Sequence, residues 1–252
     1  FWVSHMARYS IRFVHKINKM KKNFKNKISI VIATLNSENT IHNLIKSLKN
    51  IFPEIIIIDA NSRDGTIEIC KKYTNKIYYS SPGRGLQLHL GSKKSNSEWI
   101  LFLHSDSVLD PNCIKKIDHF IKDLQNVNKA GVFKLKVDHK SYIARIIEKY
   151  ANARSKLLGL PYGDQGLLIS RKFYNKIGGY KPLSIMEDVN IIRTIGPKNI
   201  TILEAYIKTS PENYTKDGWI IRSFKNIFCL ILYFFKFNNK TIYKIYYGNK
   251  IK

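Results

Sequence analysis

Polar side chains break the apolar runs of this sequence at a few places, and those places are where chemistry is expected. Asp59 ends the run Glu54 to Asp59, whose four middle residues are all isoleucine. A carboxylate at the end of such a strand must leave the core and face a ligand crevice, where it can accept a hydrogen bond from a base or a ribose. The apolar run from Trp99 stops in His104, Ser105, Asp106 and Ser107. Alternate strand residues point the same way, so His104 and Asp106 are placed to converge on one cation. A divalent ion there would neutralise a diphosphate leaving group; the plainer alternative is a strand closed by a turn at Asp106. Arg84 stands between Gly83 and Gly85, in a loop whose backbone can approach a ligand and whose guanidinium can grip phosphate. A solvated loop arginine is its plainer reading. Gln87, a turn later, is either a contact of the same ligand or a helix former, and Asp64, before Gly65 and Thr66, reads as a helix cap.

A second group lies downstream. Between Pro161 and Gly166, Asp164 and Gln165 are flanked by residues that constrain the backbone, which holds them near a strand start and toward a crevice. Arg154, on the preceding helix, is placed either to close over phosphate or on the surface. Glu187 and Asp188 open a helix, where unpaired amides and the helix dipole favour carboxylates. The chemical alternative is a general base, which must lie within hydrogen-bond reach of its nucleophile. Asp164, Glu187 and Asp188 are therefore the candidate catalytic carboxylates.

The elements that must position these groups follow from periodicity. Ile28 to Ala33, Glu54 to Asp59, Lys76 to Tyr79 and Trp99 to His104 read as strands, alternating with helices through Ile41 to Leu48, through Ile67 and Ile69, and after Leu86. Continuous apolar strands alternating with amphipathic helices predict a buried parallel sheet with ligands at its carboxyl ends. Further on, helices are expected over Pro111 to Leu124, Tyr142 to Leu158 and Glu187 to Thr194, with strands near Val132 to Val137, just after Gly166 and over Ile200 to Ile207. The run Ile227 to Phe235 carries no charge. As helix it covers about 14 Å, roughly half a bilayer's hydrocarbon core, so Trp219 to Phe235 is either a core helix or one lying on an anionic membrane, with Lys225, Lys236 and Lys240 at the headgroups. The expected organisation is a basic extension over residues 1–26, an α/β domain over 27–215 and a helical, membrane-facing segment over 216–252.

Composition bounds the function. The chain has 252 residues, 43 Lys plus Arg against 18 Asp plus Glu, and a net charge of +25; this points to phosphates, anionic lipid or nucleic acid. At 44% hydrophobic and 24% charged residues it is globular, which excludes wholesale disorder, collagen and coiled coil. Cys70, Cys113 and Cys229 form no Cys-x-x-Cys pair, which excludes a disulfide framework and a zinc ribbon and fits a reducing cytoplasm. The basic run Lys16 to Lys27 does not resemble a secretory signal, and Met20 is a candidate native start. That run has only Phe24 as an aromatic, so nucleic acid is not an expected partner. The first strand lacks a Gly-x-Gly-x-x-Gly turn, which argues against a dinucleotide-dependent oxidoreductase.

Taken in order, Ile28 to Asn36, Asp59 to Thr66 and the strand ending in Asp106 resemble the family 2 glycosyltransferases of the GT-A fold. Gly83 to Gln87, His104 to Ser107, Leu160 to Gly166 and Met186 to Val189 are similar to the subgroup named for arsenosugar biosynthesis. The resemblance spans about Lys27 to Gly248. It implies a Rossmann-like α/β fold, a mostly parallel sheet flanked by helices, and inverting transfer of a sugar from a nucleotide-diphosphate donor to an acceptor hydroxyl. It places Thr34 and Asn36 at the donor rim, Asp59 at the base and ribose, Arg84, Gln87 and Gln165 around the donor, and Asp106 with His104 at a Mg or Mn ion. His104 stands where the family more often has the first carboxylate of an Asp-x-Asp pair. Asp188 is the implied base, with Glu187 orienting the helix or acceptor. The subgroup implies a small soluble acceptor, whereas the apolar carboxyl-terminal segment suits a lipid-linked one. Either way the expected location is the cytoplasm, on the inner face of the membrane where the segment docks.

Overall fold

The protein was analysed as a computed structural model that describes residue 24 and residues 26–248. The expected basic extension lies outside these residues apart from Phe24 and Asn26. The first half alternates as anticipated: β1 (Ile28–Thr34), α1 (Glu38–Leu48), β2 (Glu54–Asp59), α2 (Thr66–Lys71), β3 (Ile77–Tyr79), α3 (Arg84–Lys94) and β4 (Trp99–His104). Strand alternation divides the isoleucines between two cores. Ile30, Ile32 and Ile57 pack with Ile41, Leu44 and Ile45 of α1 on one face. Val31, Ile56 and Ile58 pack with Leu88 of α3 on the other. Burial on both faces is why these strands read as unbroken apolar runs.

The remaining elements are β5 (Ser107–Leu109), α4 (Pro111–Lys122), β6 (Ala130–Val137), α5 (Tyr142–Leu158), β7 (Leu167–Ser170), α6 (Arg171–Lys176), α7 (Glu187–Ile195), β8 (Ile200–Thr209), α8 (Glu212–Asp217), α9 (Trp219–Phe234) and α10 (Asn239–Tyr247). The helix expected to reach Leu124 stops at Lys122, because Asp123 turns extended and its side chain accepts from the Gln125 amide, capping a 3-10 turn instead. The sheet order is β3-β2-β1-β4-β7-β6-β8-β5. β1 pairs in parallel with β2 and β4, and β2 with β3, while β7 runs antiparallel to both β4 and β6. β6 and β8 are parallel, and β5 is antiparallel to β8. The sheet is thus mostly parallel with two reversed strands. Register sets Thr34 opposite Asp59 and Ala33 opposite His104, so the polar ends of β1, β2 and β4 reach one edge together.

The carboxyl-terminal helices dock on the start of α7. Ile185, Met186 and Val189 form an apolar cluster with Cys229, Leu232 and Ile242. Polar bonds frame it: Asn190 Nδ2 donates to the Tyr233 hydroxyl at 3.0 Å, and Asn239 Nδ2 to the Ile185 carbonyl at 2.8 Å. Only Cys229 and Leu232 of α9 are buried, so this segment is neither the expected core helix nor a free one. All three cysteines are free and buried.

Phe24 is fully buried and stacks on Phe52 with ring centroids 5.1 Å apart. Phe24→Ala should therefore cost about 3 kcal/mol or more, the usual scale for truncating a buried phenylalanine. Urea denaturation checks this; an unchanged midpoint would show that the core does not begin until β1.

Candidate active site

Asp59 is fully buried and its carboxylate is consumed at the strand ends. Oδ1 accepts from the Thr34 hydroxyl at 2.8 Å and the Ser62 hydroxyl at 2.6 Å, and Oδ2 from the Ser62 amide at 2.7 Å. Thr34 is 1% exposed and bonded to the same carboxylate. The turn after β2 buries donors that need an acceptor, and Asp59 supplies it. Asn36 is exposed, with its Oδ1 accepting from the Arg63 amide at 2.9 Å. Asp64 caps both helix starts, taking the Glu38 and Thr66 amides. Its carboxyl loses a little solvation, but the bonds from Thr66 and Glu38 hold it below the ordinary range.

Two glutamines expected near the donor are also internal braces. Gln87 Nε2 donates to the carbonyls of Thr34 at 2.9 Å and Ile58 at 2.8 Å, tying α3 across the ends of β1 and β2. Gln165 is fully buried; it accepts from the Ser155 hydroxyl at 2.7 Å and donates to the Phe133 carbonyl at 2.8 Å. A side-chain amide can join two backbones where no water reaches, and this fixes the orientation of its neighbours.

Arg84 and Glu187 meet at the centre. Nε of Arg84 lies 2.6 Å from Oε1 of Glu187, whose side chain is 1% exposed. The N–H misses the carboxylate's best direction, so both Glu187 oxygens remain without an aligned donor. Burial pushes this carboxyl up to about 7, with Arg84 pulling against it and Asp188 adding to the rise. Arg84 Nη1 lies 3.0 Å from His104 Nε2. A guanidinium only donates, so Nε2 accepts and the ring is neutral with its proton on Nδ1. Burial, then the charge of Arg84, holds His104 well below its ordinary pKa. The approach depends on Gly85, where a Cβ would run into the Lys181 carbonyl and lie 2.9 Å from that of Leu183.

Around this centre, a crevice is lined by His104, Gly163, Tyr180, Glu187 and Asp188. Asp188 Oδ2 accepts from the Gly163 amide at 2.9 Å, and Oδ1 from the Val189 amide at 2.8 Å. Asp106 Oδ2 accepts from the Thr209 hydroxyl at 3.1 Å, and burial raises its carboxyl. Asp164 is pushed up to about 6 by burial, with Arg154 opposing and Asp188 and Asp106 reinforcing. Its Oδ1 is buried without a partner, as is Arg154 Nη2. Arg154 is 6% exposed, stacked 3.3 Å from the Tyr162 ring and bonded through Nε to the Leu160 carbonyl. The structure thus gathers Arg84, His104, Asp106, Asp164, Glu187 and Asp188. Tyr180, which no spacing singles out among 15 tyrosines, completes the wall.

The residues fit a divalent ion held jointly with a ligand. No group of three or more His, Cys, Asp or Glu side chains able to hold a metal occurs among the described residues. Asp106, a buried carboxylate with one hydroxyl donor, suits an ion that takes its other oxygens from a diphosphate, as magnesium commonly does. His104 does not fit as a ligand: its lone pair is committed to Arg84, and a Cβ on Gly163 would sit only 2.5 Å from Nε2.

The sequence profile of Glycosyl transferase family 2 matches residues 29–178, and the chain belongs to that family. Its fold is of the GT-A type. Among curated relatives, it is 32% identical over 127 residues to poly(ribitol-phosphate) beta-N-acetylglucosaminyltransferase TarS of Staphylococcus aureus, covering 42% of this chain and 22% of that one. It is 30% identical over 100 residues to the cholesterol galactosyltransferase of Borreliella burgdorferi, covering 36% of this chain and 28% of the other. The chain therefore spans well under half the length of these relatives. Among solved structures, residues 1–349 of S. aureus TarS align with a TM-score of 0.57 at 20% identity, over 88% of this chain and 70% of that one. Glucosyl-3-phosphoglycerate synthase from Mycobacterium tuberculosis, solved with Mn2+ and UDP-glucose, aligns with a TM-score of 0.54 at 16% identity, over 77% and 73%.

Glu187 titrates near 7 when folded against an ordinary value of 4.5. A raised acid stabilises the fold fully below its unfolded pKa, and that contribution is lost as pH rises through the folded one. Glu187→Gln should therefore show a smaller fall in urea midpoint between about pH 5 and about pH 8 than the wild type. Equal falls would mean that Glu187 ionises as if exposed.

Proposed function

We propose that this glycosyltransferase moves a sugar from a nucleoside-diphosphate donor to an acceptor hydroxyl with inversion at the anomeric carbon. The observation that carries the reading is the gathering of Arg84, Asp106, Asp164 and Asp188 at the carboxyl ends of the parallel strands, in a chain of this family. Relatives of the same fold were solved with UDP-GlcNAc and with UDP-glucose and Mn2+, so uridine diphosphate sugars are the first donors to test. Residues 27–215 are assigned to the transferase domain and 216–252 to the helical segment.

Arg84 uses Nε and Nη1 within the protein, and Nη2 is assigned to a phosphate oxygen. Asn36 is assigned to the exposed rim of the donor site, and Asp106 to a magnesium or manganese ion. When bound, that ion would neutralise charge developing on the leaving diphosphate. The unpartnered Asp164 Oδ1 and Arg154 Nη2 suit a sugar hydroxyl, which donates and accepts at once. Asp188 is the assigned base. Its carboxylate takes the acceptor hydroxyl's proton as that oxygen bonds to the anomeric carbon. On the opposite face the bond to the diphosphate oxygen breaks, and the nucleoside diphosphate leaves with the electron pair. Glu187 holds Arg84 and is assigned a positioning role.

The resemblance to the arsenosugar subgroup supports a small soluble acceptor. The apolar residues exposed along α9 favour the second reading, a lipid-linked acceptor. Product analysis with each acceptor class, using UDP-glucose and UDP-GlcNAc, separates the two.

Asp188→Asn should leave donor binding nearly intact and slow transfer by about 10²-fold or more, the scale for losing a general base. Glu187→Gln should cost less. Wild-type turnover in Asp188→Asn would reduce that carboxylate to a loop tie. A nucleoside diphosphate with Mg2+ or Mn2+ should also raise the melting temperature, since it binds the native state alone, and Asp106→Ala should abolish that rise. Equal binding and turnover after chelation would remove the metal assignment.

A further inference from the structure

Helix α9 presents its side chains in an unusual order. Its inward side packs Cys229 and Leu232 into the apolar cluster and is tied by polar bonds: Arg222 donates to Asp217 at 2.7 Å and to the Tyr246 hydroxyl at 2.6 Å, and Tyr233 accepts from Asn190. The outward side is apolar as well. Ile220, Ile221, Phe224, Phe228, Ile231 and Phe235 are between 46% and 74% exposed. At about 100° per residue these positions fall within an arc of roughly 100°, a single continuous stripe. A surface helix in water carries polar residues on its outward side, and a contiguous exposed apolar stripe marks an interaction site. The stripe cannot cross a bilayer: α9 has 16 residues, about 24 Å of helix, and no helix among the described residues is long and apolar enough to span.

Charge identifies the occupant. From Gly218 to Lys252 the sequence contains no Asp or Glu, while Arg222, Lys225, Lys236, Lys240 and Lys244 lie on or beside α9 and α10. Arg222 is paired with Asp217; Lys236, Lys240 and Lys244 are exposed. An exposed apolar stripe in a helix pair that carries exposed lysines and no carboxylate fits a surface that is apolar below and anionic above, which is the leaflet of an anionic bilayer.

We propose that the outer face of α9 seats shallowly in an anionic membrane surface, with Lys236, Lys240 and Lys244 at the headgroups. The inference goes beyond the transfer reaction and stands whether or not that assignment holds. The docked inner side fixes the helix on α7, so the whole domain is carried to the surface in one orientation.

Cosedimentation of the full chain with phosphatidylserine/phosphatidylcholine vesicles tests this, with phosphatidylcholine vesicles as the control. The expected result is binding to anionic vesicles at low salt, at least about tenfold weaker on neutral vesicles and likewise weakened at roughly 0.5 M salt, where charges are screened within a few ångströms. Phe224→Ser combined with Phe228→Ser should abolish binding while leaving the melting temperature within a few degrees of wild type, because both side chains already face outward. Protein that stays in the supernatant with anionic vesicles at low salt overturns the proposal. That outcome is expected if a second copy or the chain's own residues 1–23 cover the stripe. Undiminished binding by the double variant also overturns it.

Discussion

The structure turns on one buried charge contact between the two halves of the chain. Arg84 arrives on α3, which belongs to the parallel half, and Glu187 opens α7, which lies beyond the reversed strand β7. A carboxylate almost wholly removed from water is costly unless a cation accompanies it, and removing either partner would leave the other buried alone. Much of the local geometry serves that meeting. Gly85 lets the 181–183 backbone cross the start of α3, and Met186 takes a left-handed φ of 62° to turn the chain into α7. Such a conformation costs a non-glycine residue about 1–2 kcal/mol. Burial of Met186 against Cys229, Leu232 and Ile242 offsets that cost.

The sequence carried the frame of the fold because the frame is repetitive. Buried strands show as unbroken isoleucine runs, and α5 begins and ends as read because Ser141 caps the Ala144 amide and Gly159 adopts the left-handed turn that stops it. The short elements were not legible. β5 has three residues and exists because Ser107 to Leu109 pair with Ile207 to Thr209, about a hundred positions away. The candidate site was legible as a set of positions but only partly as a set of roles. Thr34, Asp59, Gln87 and Gln165 each bond to protein. Periodicity reports which residues reach an edge. It does not report which buried amides and carbonyls there already require a partner, and here the turn after β2, the ends of β1 and β2 and the Phe133 carbonyl within β6 require several.

Net charge was similarly misleading about the site. The chain is strongly basic, but its candidate site holds Asp106, Asp164, Glu187 and Asp188 against Arg84 and Arg154. Three of those carboxyls are raised by burial, because removal from water disfavours the charged form, while Arg84 and Arg154 pull the other way. An anionic diphosphate would be repelled from such a site unless positive charge came with it. A divalent ion held by Asp106 together with the diphosphate would supply that charge.

The exterior and the edge are nevertheless joined mechanically. Tyr233 lies on α9, and its hydroxyl accepts from Asn190, two residues after Asp188 on α7. Asn239, which caps no part of α9 itself, holds both the Ser184 amide and the Ile185 carbonyl just before Met186. The segment that presents Glu187 and Asp188 is therefore clamped from outside by the same pair of helices that expose the apolar stripe. A change in how α9 is covered would be felt at the turn through Met186, because that turn is strained and Cys229 and Leu232 of α9 and Ile242 of α10 are among its packing partners. Covering the stripe without moving α9 would preserve the Arg84–Glu187 contact, whereas prying the helix away would remove the burial that holds Met186 in its turn.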